Sequence, residues 1–276
     1  MSAIPAVEPR FRAHDAHVHI TPSAVDPAAD QQEYLRTRTA HDIGIAAIVT
    51  PGTMGWDNET SFAVAATDPT RFRVIARADL LSDDAGKRTA DLLARGASGL
   101  RLTLLGEPDI SWLADGSIDD ATAVLAAAGA VAEMHATPEQ LADVGRFAAR
   151  WPSIKVVVDH LGRPDPEHGV DAAEFMGFLA LAEHPNVTAK TPNSSFFSLT
   201  GSPFSDLIPF YEAALDAFGA ERLLWASDWP LCVRTAPFEA SFEPLTAILG
   251  TRSNQDADRI LRTNFVRTFT GVVGHD

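Results

Sequence analysis

Residues 14–20 read His-Asp-Ala-His-Val-His-Ile, an acid and three histidines within seven positions of an otherwise apolar stretch. Side chains alternate along a strand, so Asp15, His17 and His19 are expected to share one face, with Asp15 the deeper. Ala16, Val18 and Ile20 then share the other face, and His14 turns away from the pair. Two imidazoles side by side are costly to bury without a metal ion, a substrate or a hydrogen-bonding purpose. Further chemistry-bearing groups recur at intervals. They are Arg101 and Thr103 in "RLTLL", Glu133 and His135 in "AVAEMH", His160 and Arg163 in "KVVVDHLGR", Lys190, and Asp228 in "LLWASDWP". Each has an ordinary structural reading. A buried histidine is often a satisfied core donor, Asp228 suits a turn before Pro230, Arg163 suits a surface turn, Lys190 suits an ion pair, and Asp15 suits a backbone-bonding role. Joint placement is what sets these readings aside.

That placement follows from the elements. Eight β-branched segments, near 12–20, 45–50, 72–78, 99–104, 130–135, 155–160, 186–190 and 223–227, alternate with alanine- and leucine-rich stretches of helical period. The helices are expected at 31–41, 59–67, 85–95, 119–128, 138–150, 171–184, 204–218, 238–249 and 255–269. Thr137, Pro138 and Gln140 form a capping-box start, and Asn254 is the expected cap of the last helix. Regular alternation supplies the crossovers that parallel strands need, so the reading is a single (β/α)8 TIM barrel over residues 1–276. A doubly wound sheet is the alternative, but no Gly-x-Gly-x-x-Gly or Walker A sequence follows any strand. In a barrel, catalytic groups sit at the C-terminal strand ends, where these polar residues from six strands fall.

Composition narrows the partners. The chain has 276 residues, which suits one barrel of about 250 residues. Its net charge of −15 argues against nucleic acid or an anionic membrane as a partner. Cys232 is the one cysteine, so no internal disulfide forms, and a cytoplasmic location is the expectation. The opening "MSAIPAVEPRFR" lacks the features of a secretory leader. Self-association as a homo-oligomer is left open. No Gly-x-Ser-x-Gly is present and Cys232 has no evident base, so a covalent nucleophile is not expected.

"DAHVHI", "VVVDHLGRPD" and "LLWASDWP", in that order, resemble the amidohydrolase superfamily of the amidohydrolase-2 type. Within it they are most similar to the branch of sugar lactonases and 2-pyrone-4,6-dicarboxylate lactonase. The resemblance implies a hydrolase that opens a small, carboxylated lactone in aromatic or sugar-acid catabolism. It also implies that His17, His19 and His160 polarise the carbonyl or contact a metal, with Asp228 as general base. Arg101, Arg163 and Lys190, with Glu133, His135 and Asn193, are then the candidates for substrate contacts. Two departures stand out: Glu107 and the loop around Asn193 fall where arginines that hold carboxylates would be expected. One anionic group is therefore expected rather than two.

The metal stays open at this stage, because members of the branch work without one. A binuclear site is rejected for want of a bridging lysine at the end of the fourth strand. If one divalent ion such as zinc or manganese is bound, its ligand candidates are His17, His19, Glu133 or His135, and Asp228. The alternative activity is a metal-dependent, amidohydrolase-like decarboxylase, which would use the same histidine pair and His135.

Overall fold

A computed structural model describes residues 12–270, so the opening segment before Arg12 lies outside the described residues. Eight strands pair in sequence order, each parallel to the next. They are β1 (Ala13–Val18), β2 (Ile43–Val49), β3 (Phe72–Ala76), β4 (Ala97–Thr103), β5 (Val131–His135), β6 (Lys155–Val158), β7 (Val187–Lys190) and β8 (Leu223–Leu224). Runs such as "IGIAAIV" and "KVVV" are buried almost throughout, as expected of strands covered on both faces. Helices return the chain between them, giving the (β/α)8 TIM barrel.

β8 is shorter than the sequence suggests, because its following donors go elsewhere. Trp225 N donates to Ile260 O at 3.1 Å, Ala226 N to Thr191 Oγ1 at 3.0 Å, and Ser227 N to Asp15 Oδ1 at 2.9 Å. The seam to β1 is closed by three main-chain bonds: Ala16 N to Trp225 O, Asp228 N to His17 O and His19 N to Trp229 O. These bonds place Asp228 directly beside the histidine strand.

The core forms two shells. The larger lies between strands and helices, while Ala16, Val49, Ile75, Val131, Val157 and Leu224 pack inside the barrel with Phe265 and Phe269. The ring of His14, at the start of β1, packs against Phe265, so the last helix stoppers the N-terminal end. Simple alternation fails in β1. Register shifts flank Asp15, Ala16 turns into the barrel, and the Asp15 carboxylate accepts from both the backbone and the hydroxyl of Ser227. Asp15 is therefore a clamp between β1 and β8, not a third member of the histidine face.

Two helix expectations also change. The last helix is three segments, Asn254–Asp258, a wider turn over Arg259–Thr263, and Asn264–Phe269. Its cap is Ser253, whose extended backbone lets Oγ accept from Asp256 N, so Asn254 is already helical. Among the described residues no helix is long and apolar enough to cross a membrane.

Gly99 in β4 leaves no room for a side chain beside β5, since a Cβ there would meet Val131 O at 2.2 Å. That obstacle is backbone and cannot move without breaking the β4–β5 ladder. Gly99→Ala is expected to destabilise the barrel by about 3 kcal/mol in urea unfolding. A change under about 1 kcal/mol would contradict this packing.

Candidate active site

The polar layer begins with register. Arg101 pairs with Glu133 across β4 and β5, and Glu133 with Val157 across β5 and β6. Two residues beyond Val157 stands Asp159, and two beyond Thr188 on β7 stands Lys190. The Lys190 ammonium, wholly enclosed, lies 2.5 Å from Glu133 Oε2, 3.4 Å from Asp159 Oδ1 and 3.2 Å from His17 Nδ1. Arg101 donates to Asp159 Oδ2 at 3.0 Å. Burial opposes ionisation of Asp159, but Lys190, His17 and Arg101 outweigh it and hold the carboxyl well below its usual range. Burial, followed by the nearby Asp159 charge, pushes Glu133 up to about 8 against the pull of Lys190.

His17 and His19 stand above this cluster. His19 Nδ1 donates to Val49 O at 2.7 Å, which leaves the Nε2 lone pair free. Burial holds His19 at about 3 and His17 well below its ordinary value, so both rings are neutral near pH 7. His17 Nδ1 faces Lys190 and, at 3.3 Å, Asp159. When Lys190 donates to Nδ1, His17 Nε2 carries the proton and donates to His19 Nε2, 3.2 Å away. When Nδ1 donates to Asp159, both Nε2 lone pairs point into the site. The buried cluster therefore selects the tautomer.

Asp228 completes the layer. Its Oδ1 lies 3.6 Å from His19 Nε2 and 3.8 Å from His17 Nε2, with no hydrogen-bond partner among the described residues. Its Oδ2 accepts from Asn193 Nδ2 at 3.1 Å, and Ser195 donates to Asn193 Oδ1, which fixes the amide's orientation. Burial pushes Asp228 up to about 7, with the Asn193 bond and Arg101 opposing and Asp159 and Asp15 reinforcing. Asp228 and His160 both follow strand ends in the left-handed region, at φ 59° and 54°. Such backbone is sparsely populated by non-glycine residues and here turns both side chains toward the mouth.

A cavity of about 590 Å³ opens over this layer, lined in part by His19, Arg101, His135, His160, Arg163 and Asp228. His160 Nδ1 and Arg101 Nε are buried without partners among the described residues. Arg163 stands over the Phe197 ring at 5.5 Å. Glu133 and Lys190, expected as substrate contacts, are fully enclosed beneath the histidines and engage each other instead. Glu133 approaches His17 through Nδ1, on the side away from Asp228. His135 lies beside His160, with ring centroids 6.1 Å apart. Asp159 was missed by the sequence reading. Its signal was its place two residues beyond Val157, which alternation puts on the inner face, whereas His160 reaches the mouth through its left-handed backbone. Cys232 is buried with its thiol pushed up by desolvation, which disfavours nucleophilic use.

Removing the ammonium would leave two buried carboxyl groups, the Asp159 anion and Glu133, short of a partner. Lys190→Met is expected to lose about 3–5 kcal/mol in urea unfolding, with much of it recovered in Lys190→Met/Glu133→Gln. Equal stability of the two variants would contradict the pairing.

The chain is 31% identical over 195 residues to L-fucono-1,5-lactonase of Burkholderia ambifaria, an alignment covering 68% of this chain and 66% of that protein. Over 84 residues it is 40% identical to 2-pyrone-4,6-dicarboxylate hydrolase of Comamonas testosteroni, covering 27% of each. An amidohydrolase structure from Burkholderia multivorans with bound zinc superposes with a TM-score of 0.76 at 24% identity, over 93% of this chain and 98% of that one. The amidohydrolase family model matches residues 14–269, and on the strength of that match the chain belongs to the amidohydrolase family.

Proposed function

We propose that this amidohydrolase is a lactonase, opening a small carboxylated lactone with a water molecule activated by Asp228. The observation that carries the reading is the unpartnered Asp228 Oδ1, raised to about 7 and set beside two neutral imidazoles on the cavity floor. The names of the curated relatives, a sugar lactonase and a pyrone dicarboxylate hydrolase, support it. Oδ1 takes a proton from water as the water oxygen bonds to the lactone carbonyl carbon. Charge developing on the carbonyl oxygen is met by donors on the wall, His160 and Arg101. The ring C–O bond then breaks and the proton on Asp228 passes to the departing ring oxygen. The product is an open hydroxy acid, which releases its own proton to solvent. Arg163, at the rim, is the candidate to orient a substrate carboxylate.

The residues also fit one divalent cation such as zinc. Ligand atoms bound to zinc at about 2.0–2.2 Å and tetrahedral angles stand roughly 3.3–3.6 Å apart. His17 Nε2, His19 Nε2 and Asp228 Oδ1 are separated by 3.2, 3.6 and 3.8 Å. These three would hold the ion, with His160 close enough to join His17 and Asp228. A bound zinc ion would add Lewis-acid polarisation of the carbonyl and lower the pKa of water.

Proton release on a panel of sugar and muconate lactones tests the reaction. Asp228→Asn is expected to lower kcat by about a hundredfold or more with the fold intact, and activity within twofold of wild type would remove Asp228 from the mechanism. Titration of chelated protein with zinc is expected to show one tight site per chain, abolished in His19→Asn. Undiminished binding in that variant would contradict the ligand set.

A further inference from the structure

Strand β3 delivers a cation that the reaction above leaves idle. Ile75 packs inside the barrel, so two positions on Arg77 falls on the same inner side at the mouth. Its main chain is clamped at both polar groups, because Asn58 donates to Arg77 O and accepts from Arg77 N, each at 2.8 Å. The residue is only 9% exposed. Among the described residues its Nε and Nη1 have no hydrogen-bond partner and no ion pair reaches it within 4.0 Å.

A buried guanidinium without an acceptor is costly, so its persistence asks for a partner that comes and goes. Two neighbours show where such a partner would sit. Nη1 lies against Gly52, where a Cβ would stand only 2.8 Å away, and Gly52 lines the same cavity as Arg101. Trp56 lies against the guanidinium from outside, with its ring 5.0 Å away. Nη1 is buried behind the glycine, whose missing Cβ lets the guanidinium come up to the cavity wall. Arg101 adds like charge to this wall, and Glu107, on the exposed loop beyond β4, is the carboxylate that bears on it.

We propose that Arg77, reaching through the gap at Gly52, forms with Arg101 an anion subsite on the β3–β4 wall that takes a carboxylate of the substrate. The assignment rests on the lactonase reading and extends it. Arg77 restores from the third strand a guanidinium missing at Glu107 and near Asn193, so a substrate with a second anionic group becomes acceptable alongside Arg163.

Two arms of one experiment test the subsite. In the first, kcat and KM are measured for muconolactone and for its uncharged methyl ester. Arg77→Met is expected to raise KM for muconolactone at least tenfold with kcat within about threefold, and to leave the ester's kcat/KM within about threefold. Arg77→Lys should fall between. Equal losses on both substrates would overturn the proposal. In the second arm, citrate binding is followed by calorimetry, so the subsite is judged even where wild type hydrolyses no lactone, a result that would sink the lactonase reading alone. Citrate is expected to bind wild type and to weaken at least tenfold in Arg77→Met. Should that variant fail to fold, Gly52→Ala, which displaces only the end of the Arg77 side chain, is expected to weaken citrate to a similar degree. Citrate that ignores wild type, or binds the folded variants as tightly, overturns the subsite.

Discussion

Lys190 reaches from β7 into an enclosed space where its ammonium meets Glu133 at 2.5 Å, Asp159 at 3.4 Å and His17 at 3.2 Å. Such a charge is tolerated in a low-dielectric interior only when its partners are fixed, and breaking one side is strongly destabilising. The strands supply those partners through register, and Arg101 closes the far side of Asp159. Everything above inherits this order. With Asp159 ionised on one side and Lys190 on the other, His17 Nδ1 is held between an acceptor and a donor, and its Nε2 is left to face His19 and Asp228.

The groups above the cluster divide by environment. The imidazoles are neutral because burial outweighs the nearby carboxylates, whereas Asp228 is raised because burial disfavours its charge and, among the described residues, only its Oδ2 has a donor. A neutral pair of nitrogens beside a carboxylate of intermediate basicity suits proton removal from water at a carbonyl, and equally suits a cation. The left-handed backbone at His160 and Asp228 is where the chain accepts local strain to aim both groups at the same mouth.

Much of this was legible in the sequence. The β-branched segments gave the eight strands to within a few residues, and the strand-end pattern gathered His17, His19, His160 and Asp228 around one mouth. What escaped depended on contacts between distant segments. The register shift at Asp15 is invisible locally, since only the partners in β2 and Ser227 reveal it. Glu133 and Lys190 read as substrate contacts because nothing in their own strands shows that they meet below the histidines. Asp159 was hidden behind His160, which alternation would turn outward but whose left-handed backbone brings it to the mouth, and Arg77 was overlooked because its strand carried no other inward polar residue at the mouth.

The central claim is that burial keeps His17 and His19 neutral, with His19 protonated on Nδ1 by its bond to Val49 O and its Nε2 aimed at Asp228. Nitrogen-15 NMR of histidine-labelled, chelated protein reads this directly, since ring nitrogen shifts separate the two tautomers from the imidazolium. Between about pH 5.5 and 8 both rings are predicted to stay neutral, with His19 as the Nδ1–H tautomer. Titration of either ring to the imidazolium near pH 6.5, or His19 protonated on Nε2, would contradict the account.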